Sequence, residues 1–201
     1  TAVGYLALNA QNFTSATDSF NVAVGTNAGL SVTTGRFNSF LGALSGDSVT
    51  TGDQNTAIGY QALSANQTSN NNVAVGYQAL RLNTAANNVA VGVQAMDANT
   101  SGTQNTAVGR EALNANTEAD DNTAMGYRAG KSVTTGARNT LVGSQAGDAI
   151  TEANNNVAVG YAALSADTLG DRSIAIGQRT LENQNFTSCL LYTSPSPRDV
   201  I

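Results

Sequence analysis

Small and branched apolar residues return at a fixed interval along this chain, and a glycine ends each group of them. The four residues before the glycine read Asn, then Val or Thr, then Ala, then Val or another aliphatic residue. Eleven copies occur, 17 residues apart except for one interval of 21 and one of 16. The glycines are Gly4, Gly25, Gly42, Gly59, Gly76, Gly92, Gly109, Gly126, Gly143, Gly160 and Gly177. A repeat of this length is typical of a solenoid, in which every copy forms one coil.

The segment before each glycine predicts a short β-strand, because it is rich in Val, Thr and Ile and ends at Gly. Positions are numbered here from that glycine, with negative numbers before it. Side chains alternate along a strand, so positions −3 and −1 share one face and position −2 lies on the other. Position −2 is Ala in nine copies, with Phe40 and Leu141 as the exceptions. Both faces are small or apolar, which favours a strand covered on both sides, by its own core and by another chain or layer.

A coupled pattern follows the glycine. Where position +4 is Leu or Met, position +7 is polar, and where position +4 is Gly, position +7 is Val or Ile. This exchange predicts one core space that either residue fills, since an empty space is a cavity and a doubly filled one is overpacked. An offset of three residues onto one face suits a helical or 3₁₀ turn. We therefore expect a short helical turn, or a bent second strand, in each coil.

Asparagine occupies position −4 in nearly every copy. If the strands stack in register, these amides form a column in which each side chain can donate and accept hydrogen bonds along the stack. The alternative is that Asn serves only the tight turn before the strand. The predicted ladder consists of Asn21, Asn38, Asn55, Asn72, Asn88, Asn105, Asn122, Asn139 and Asn156.

The composition agrees with a thin core. Charged residues make up 11% of the chain and aromatic residues 5%, too few large side chains for a spherical core but enough for a core one coil wide. The predicted fold is all-β: a parallel β-solenoid, or β-roll, of about eleven coils over residues 1–188, as a fragment of a longer rod truncated at both ends. At about 4.8 Å per strand, the stack would be roughly 50 Å long.

The charge and the missing residue types exclude several functions. A net charge of −5 and a pI near 4.4 argue against nucleic-acid binding and a polybasic membrane patch. No apolar run approaches the roughly 18 residues of a membrane-spanning helix. The chain has no His, which excludes a Ser-His-Asp triad, and it has no phosphate-binding loop or zinc cluster. The densest acidic group, Glu118 with Asp120 and Asp121, is expected on a solvated turn. We therefore expect no enzymatic activity, cofactor or metal.

Tyrosine recurs at position +1, and four of these residues are candidates for surface contact with a glycan or a protein: Tyr60, Tyr77, Tyr127 and Tyr161. The alternative, favoured by the variability of this column, is that they cover the edge of the core or pack at a seam between subunits. Thr is frequent at position +8 and recurs at −3, so ice binding is an alternative function. The −3 column is interrupted by Val, and the strand lacks a Thr-x-Thr pair.

Residues 72–76 and 55–59 resemble the head repeats of trimeric autotransporter adhesins, the YadA-like head. The variant with Tyr-Gln-Ala-Leu at residues 77–80 is similar to repeats of phage and viral tail-fibre proteins. The resemblance implies a left-handed β-roll that assembles as a homotrimer on a cell surface (outer membrane) or a virion. Such a protein would be a structural or adhesive segment that binds a host surface protein or glycan. The 17-residue coil is longer than that of the adhesin family, and the stretch does not distinguish adhesin from fibre. An ice- or glycan-binding solenoid is the alternative function.

Residues 189–201 break every pattern above. The repeat requires Asn at position 190 and Gly at position 194, where Leu190 and Ser194 stand. The segment contains the only Cys, Cys189, and both prolines. It resembles the translation of a transposase sequencing adapter. We therefore predict that this segment is not part of the natural repeat, with a genuine linker as the alternative, and that it has no fixed structure in either case.

Overall fold

The strands form one continuous sheet in a computed structural model that describes residues 1–12, 18–185 and 191–193. Twelve parallel strands are hydrogen-bonded in the order of the chain. They are β1 (Ala2–Val3), β2 (Val22–Val24), β3 (Ser39–Leu41), β4 (Thr56–Ile58), β5 (Val73–Val75), β6 (Val89–Val91), β7 (Thr106–Val108), β8 (Thr123–Met125), β9 (Thr140–Val142), β10 (Val157–Val159), β11 (Ile174–Ile176) and β12 (Leu191–Thr193). The predicted parallel β-solenoid with one strand per coil is confirmed.

Neighbouring strands pair through equivalent positions of the repeat. Ala57 pairs with Ala74, and Ala74 pairs with Ala90 across the shorter, 16-residue coil. These position −2 side chains are completely buried, whereas positions −3 and −1 are half-buried or exposed. The −2 face therefore lines the core of the coil, and the −3 and −1 face points away from it.

Backbone hydrogen bonds join each coil to both of its neighbours. The Gly59 N–H donates to the carbonyl of Leu41 in the preceding coil, and the Thr56 N–H donates to the carbonyl of Asn72 in the following one, both at 2.8 Å. Around the rest of the coil, N–H groups at positions −5 and +2 donate backwards, and those at +4, +6 and +8 donate forwards. Most of the coil perimeter therefore takes part in the stacking, and not the strand alone.

Neither the expected helical turn nor the alternative, a bent second strand, is present in the described residues, and this part of the prediction is wrong. The chain reverses instead through tight turns with left-handed backbone at positions +2 and +4, as in Gln61 (φ 54°) and Leu63 (φ 55°). Ala62 donates to the Gly59 carbonyl at 3.3 Å, closing a turn whose third residue has positive φ, as in type II turns. A helix would direct its N–H groups to carbonyls within the same segment. In this structure the N–H groups at positions +2 and +4 donate instead to carbonyls of the adjacent coils.

The exchange between positions +4 and +7 takes place inside the core. In a coil with Leu at position +4, Leu63 and the position +7 residue Asn66 are both completely buried. In the Gly version, Val49 is completely buried, and Gly46 brings no side chain. Position +7 thus points inward in both versions, and a polar residue there needs a hydrogen-bond partner.

The large residues at position −2 explain why position +4 is Gly in some coils. A Cβ added at Gly29 would lie 2.7 Å from Cδ2 of Phe40, and one at Gly46 would lie 2.7 Å from its Cδ1. Phe40 therefore fills the space that a position +4 side chain would occupy in its own coil and in the preceding coil. Leu141 is flanked by two glycines in the same way.

Strand β12 lies in the segment that sequence analysis assigns to a region without fixed structure. It pairs with β11 in the register of the repeat, with Ile174 opposite Leu191. The open edge of β11 presents backbone N–H and C=O groups, which can pair with an extended segment whatever its side chains. The rest of residues 189–201 lies outside the described residues, so the adapter origin of this segment stays a prediction.

The substitution Gly42→Ala tests the close approach of the coils at position 0. Gly42 has φ +134°, and a Cβ there would lie 2.7 Å from the carbonyl oxygen of Gly59 in the next coil. Backbone strain and overpacking together should lower the unfolding free energy by about 2–5 kcal/mol. Urea unfolding followed by circular dichroism measures this, with the exposed Thr26→Ala as the control. Equal midpoints for the two variants would show that the coils can move apart.

The substitution Gln104→Gly tests the strain at position −5. Gln104 is exposed and has φ 60°, which is unfavourable for residues other than glycine. Glycine removes this strain but is more flexible in the unfolded chain, so we expect a net stabilisation of about 0.5–1 kcal/mol. Gln104→Ala is the matched control and should give no gain, because Ala keeps the strain. A lower denaturation midpoint for the Gly variant than for the Ala variant contradicts the prediction.

Candidate functional site

The nine ladder asparagines lie in one buried column. The side-chain Oδ1 of each accepts a hydrogen bond from the backbone N–H at the same position of the next coil. For example, the N–H of Asn55 donates to Asn38 Oδ1 at 2.9 Å. These bonds continue without interruption from Asn21 to Ser173. Direct bonds between ladder amides also occur, as from Asn139 Nδ2 to Asn122 Oδ1 at 3.1 Å.

Eight of these asparagines, from Asn21 to Asn139, also close their own coil. The Nδ2 of Asn55 donates to the carbonyl of Ser69, at position +10 of the same coil, at 2.9 Å. Where position +7 is Asn, it bonds to the same residue: Asn66 Nδ2 donates to the Ser69 carbonyl at 2.9 Å, and Asn66 Oδ1 accepts from the Ser69 N–H at 3.1 Å. The asparagine at −4 therefore holds the returning loop against the start of the coil, and the asparagine at +7 fixes the turn of that loop.

A second, exposed ladder lies at position −6 and was missed by sequence reasoning. Asp53 Oδ1 accepts from the N–H of Arg36 at 2.7 Å, and Asp120 Oδ1 accepts from the N–H and the hydroxyl of Thr103. The available signal was the recurrence of Asp or Asn at this position, in Asp53, Asn70, Asp120, Asn154 and Asp171. Glu118, Asp120 and Asp121 are all exposed, on the connection between β7 and β8.

The candidate contact tyrosines lie on the surface, one residue after the glycine that ends each strand. The rings of Tyr60 and Tyr77 stack with centroids 5.7 Å apart. Tyr127 and Tyr161 instead have guanidinium groups over their rings: Arg128 at 4.9 Å from the Tyr127 centroid and Arg179 at 5.9 Å from the Tyr161 centroid. The column is therefore not one uniform aromatic stripe.

A group of charges from two adjacent coils surrounds the buried Glu111, and we name it the Arg–Tyr cluster: Arg110, Glu111, Tyr127, Arg128 and Lys131. Glu111 Oε2 lies 2.9 Å from Arg128 Nε and 3.0 Å from Lys131 Nζ, and its Oε1 lies 3.0 Å from Arg110 Nη2. The hydrogen bond from Lys131 holds the pKa of Glu111 below its usual value. Arg110 also lies 5.9 Å from the Tyr127 ring, so two guanidinium groups flank this tyrosine.

The outward side of the strands, which we name the strand face, consists of positions −3 and −1 from Val22 to Ile176. These two columns contain only Val, Ile, Leu, Met and Thr, with Ser39 as the single addition. Leu41 is 49% exposed and Met125 is 45% exposed. The strand face is therefore an uncharged, largely apolar stripe along the described rod.

Compared with known proteins, the chain matches no protein-family model, no curated protein and no solved structure. Over residues 1–12, 18–185 and 191–193, no group of three or more His, Cys, Asp or Glu side chains is placed to hold a metal ion. The same residues include no helix that is both long and apolar enough to cross a membrane.

The two ladders differ in burial, which a matched pair of substitutions tests. Asn105→Ala removes the side chain that accepts from the Asn122 N–H and donates to the Ala119 carbonyl, both in a buried site. This loss should lower the unfolding free energy by about 2–4 kcal/mol. Asp120→Ala removes an acceptor from the exposed Thr103 N–H, which water can replace, and should cost less than about 1 kcal/mol. Urea unfolding of the full chain compares them. Similar losses would show that burial of the asparagine column does not matter.

Proposed function

We propose that this protein is a structural and adhesive rod, a segment of a surface adhesin or viral tail fibre that attaches its bearer to a host or another surface. The observation that carries the proposal is the strand face, an uncharged and half-exposed apolar stripe along the stacked coils. In keeping with the resemblance described above, the protein acts extracellularly, at a cell surface or on a virion.

The strand face favours a second copy of the same chain as its partner. Contiguous apolar surface on a protein usually marks an interface. A copy of this chain presents the same stripe at the same 17-residue spacing, so parallel rods match coil for coil. A homotrimer covers the stripe on every subunit, with the three strand faces turned towards the common axis, as closed cyclic symmetry allows.

Repeated surface positions can strengthen attachment to a partner. Positions outside the strand face return once in every coil, and a trimer presents each of them three times around the rod. Weak contacts that can engage together add through effective concentration. The partners that we propose are a host surface protein or a glycan, and neither nucleic acid nor insertion of this segment into a membrane is part of the proposal. The role is non-enzymatic and requires no cofactor.

Oligomeric mass in solution tests this proposal. Light scattering of the full chain should give a trimer. The double variant Ile58→Arg/Met125→Arg should give a folded monomer, because both side chains point outward and three like charges would meet at each position. Gln104→Arg is the control, since position −5 already holds Arg138 and Arg172, and it should remain a trimer. Circular dichroism verifies that all three chains keep their β-structure.

A wild-type monomer would refute the trimer and favour the alternative of ice binding. The observation behind this alternative is the threonine column at position +8. Its hydroxyls donate to carbonyls of the next coil, as from Thr84 to Thr100 at 2.8 Å and from Thr100 to Thr117 at 2.9 Å, which fixes their spacing. Gln67 interrupts the column, and the residues lie in turns. Thermal hysteresis of the monomer would decide for this function.

A further inference from the structure

We propose that the Arg–Tyr cluster is the main part of a binding site for an acidic polysaccharide that runs along the rod. The inference rests on the proposed attachment role and gives it a ligand class and a location. The site continues from Tyr127 and Arg128 to Tyr161, two coils further along, and to Arg179 in the coil after that.

The first support is charge. The chain carries 9 Lys and Arg against 14 Asp and Glu, yet three of the nine cations converge on Glu111. Arg128 and Lys131 also interact electrostatically with a second carboxylate, that of Asp148, whose pKa is raised by burial. Three cations against two carboxylates leave this patch positive on an acidic rod. Arg110 has a side chain that is 61% exposed, so part of this charge faces solvent.

The second support is the geometry of the cation–ring pairs. The exposed Tyr127 ring lies beside the Arg128 guanidinium at 4.9 Å and the Arg110 guanidinium at 5.9 Å. A guanidinium binds a carboxylate or a sulfate through two parallel hydrogen bonds. An aromatic ring offers an apolar surface against which the C–H face of a sugar can pack. Together these groups suit a sugar that carries an anionic substituent, and Glu111 holds the cations in place between ligands.

The third support is spacing. Tyr161 forms a second cation–ring pair, with Arg179 of the following coil at 5.9 Å from the ring centroid, and Arg179 forms an ion pair with Glu182 at 3.4 Å. The two tyrosines stand two strand steps apart, about 10 Å along the rod, which is close to the length of a disaccharide. Ser144 occupies position +1 of the coil between them, and a small side chain there leaves room for a sugar ring. A polymer with one acidic group per disaccharide fits this arrangement.

Binding to four defined probes tests the proposal. Surface plasmon resonance with the full chain should detect binding to hyaluronate, which carries carboxylates only, or to dextran sulfate, which carries sulfates only. Unsulfated dextran and a neutral maltooligosaccharide should not bind. Binding to either acidic probe supports the site, and the probe that binds identifies the anion.

The variants use residues that the chain itself has in the same columns, so that the coils keep their fold. Tyr127→Ser copies Ser144, and Arg128→Gln and Arg179→Gln copy the glutamines at position +2, such as Gln94. Each should weaken binding about tenfold, the loss of one charge-assisted or aromatic contact. Tyr60→Ser, in the same column, and Arg138→Gln, at position −5, are the controls and should bind as the wild type does.

Three results would overturn the inference: no binding to either acidic probe, equal binding to the neutral probes, or an equal loss in the control Arg138→Gln, which would indicate non-specific charge attraction. Light scattering on the same samples separates this from the proposed function. A trimer that binds no acidic probe overturns the polysaccharide site alone. A monomer that binds hyaluronate or dextran sulfate overturns the trimer alone.

Discussion

Hydrogen bonding between neighbouring coils is the constraint on which the rest of this structure depends. A coil with a three-residue strand cannot satisfy its own backbone groups, so its N–H and C=O groups are directed along the rod to the coils beside it. This holds the coils at the distance of adjacent strands along most of their perimeter. Residues at the points of closest contact must then be small, which accounts for Gly at position 0. The chain is poor in large apolar side chains because such a rod has little interior to fill.

The asparagine ladder extends the same constraint to side chains. Each amide accepts from the following coil, and those from Asn21 to Asn139 also donate across their own coil, so one residue type sets both the stacking and the closure of the loop. The turns complete the perimeter through left-handed backbone at three positions per coil, even where the residue is not glycine. Each such residue costs about 1–2 kcal/mol in isolation. It persists because the N–H groups at these positions bond to carbonyls of the adjacent coils.

The sequence predicts the strands and their stacking well, since the period and the alternation at residues 73–76 fix both. It does not predict the turns: the three-residue offset from Leu63 to Asn66 fits a helical turn as well as the left-handed turns that are present, and a Leu at +4 gives no sign of positive φ. The sequence predicts the asparagine column. It does not predict the acceptors of that column at position +10, because they are backbone carbonyls of Gly, Ala or Ser and have no side-chain signal. The Arg–Tyr cluster was missed because its members come from two coils, and only the register brings Glu111 beside Lys131.

The packing around the two large core residues shows that neighbouring coils are not energetically independent. Phe40 requires glycine at position +4 in its own coil and in the one before, so three positions in two coils form one packing unit. The corresponding residues of a second unit, Gly130, Leu141 and Gly147, each lie 101 residues further on, or six coils. Within such a unit, a larger residue at one glycine would collide with the aromatic or aliphatic side chain, and a smaller residue at position −2 would leave a cavity across both coils. The rod therefore consists of unequal blocks: paired coils that share one large side chain, separated by coils in which each Leu or Met fills its own space.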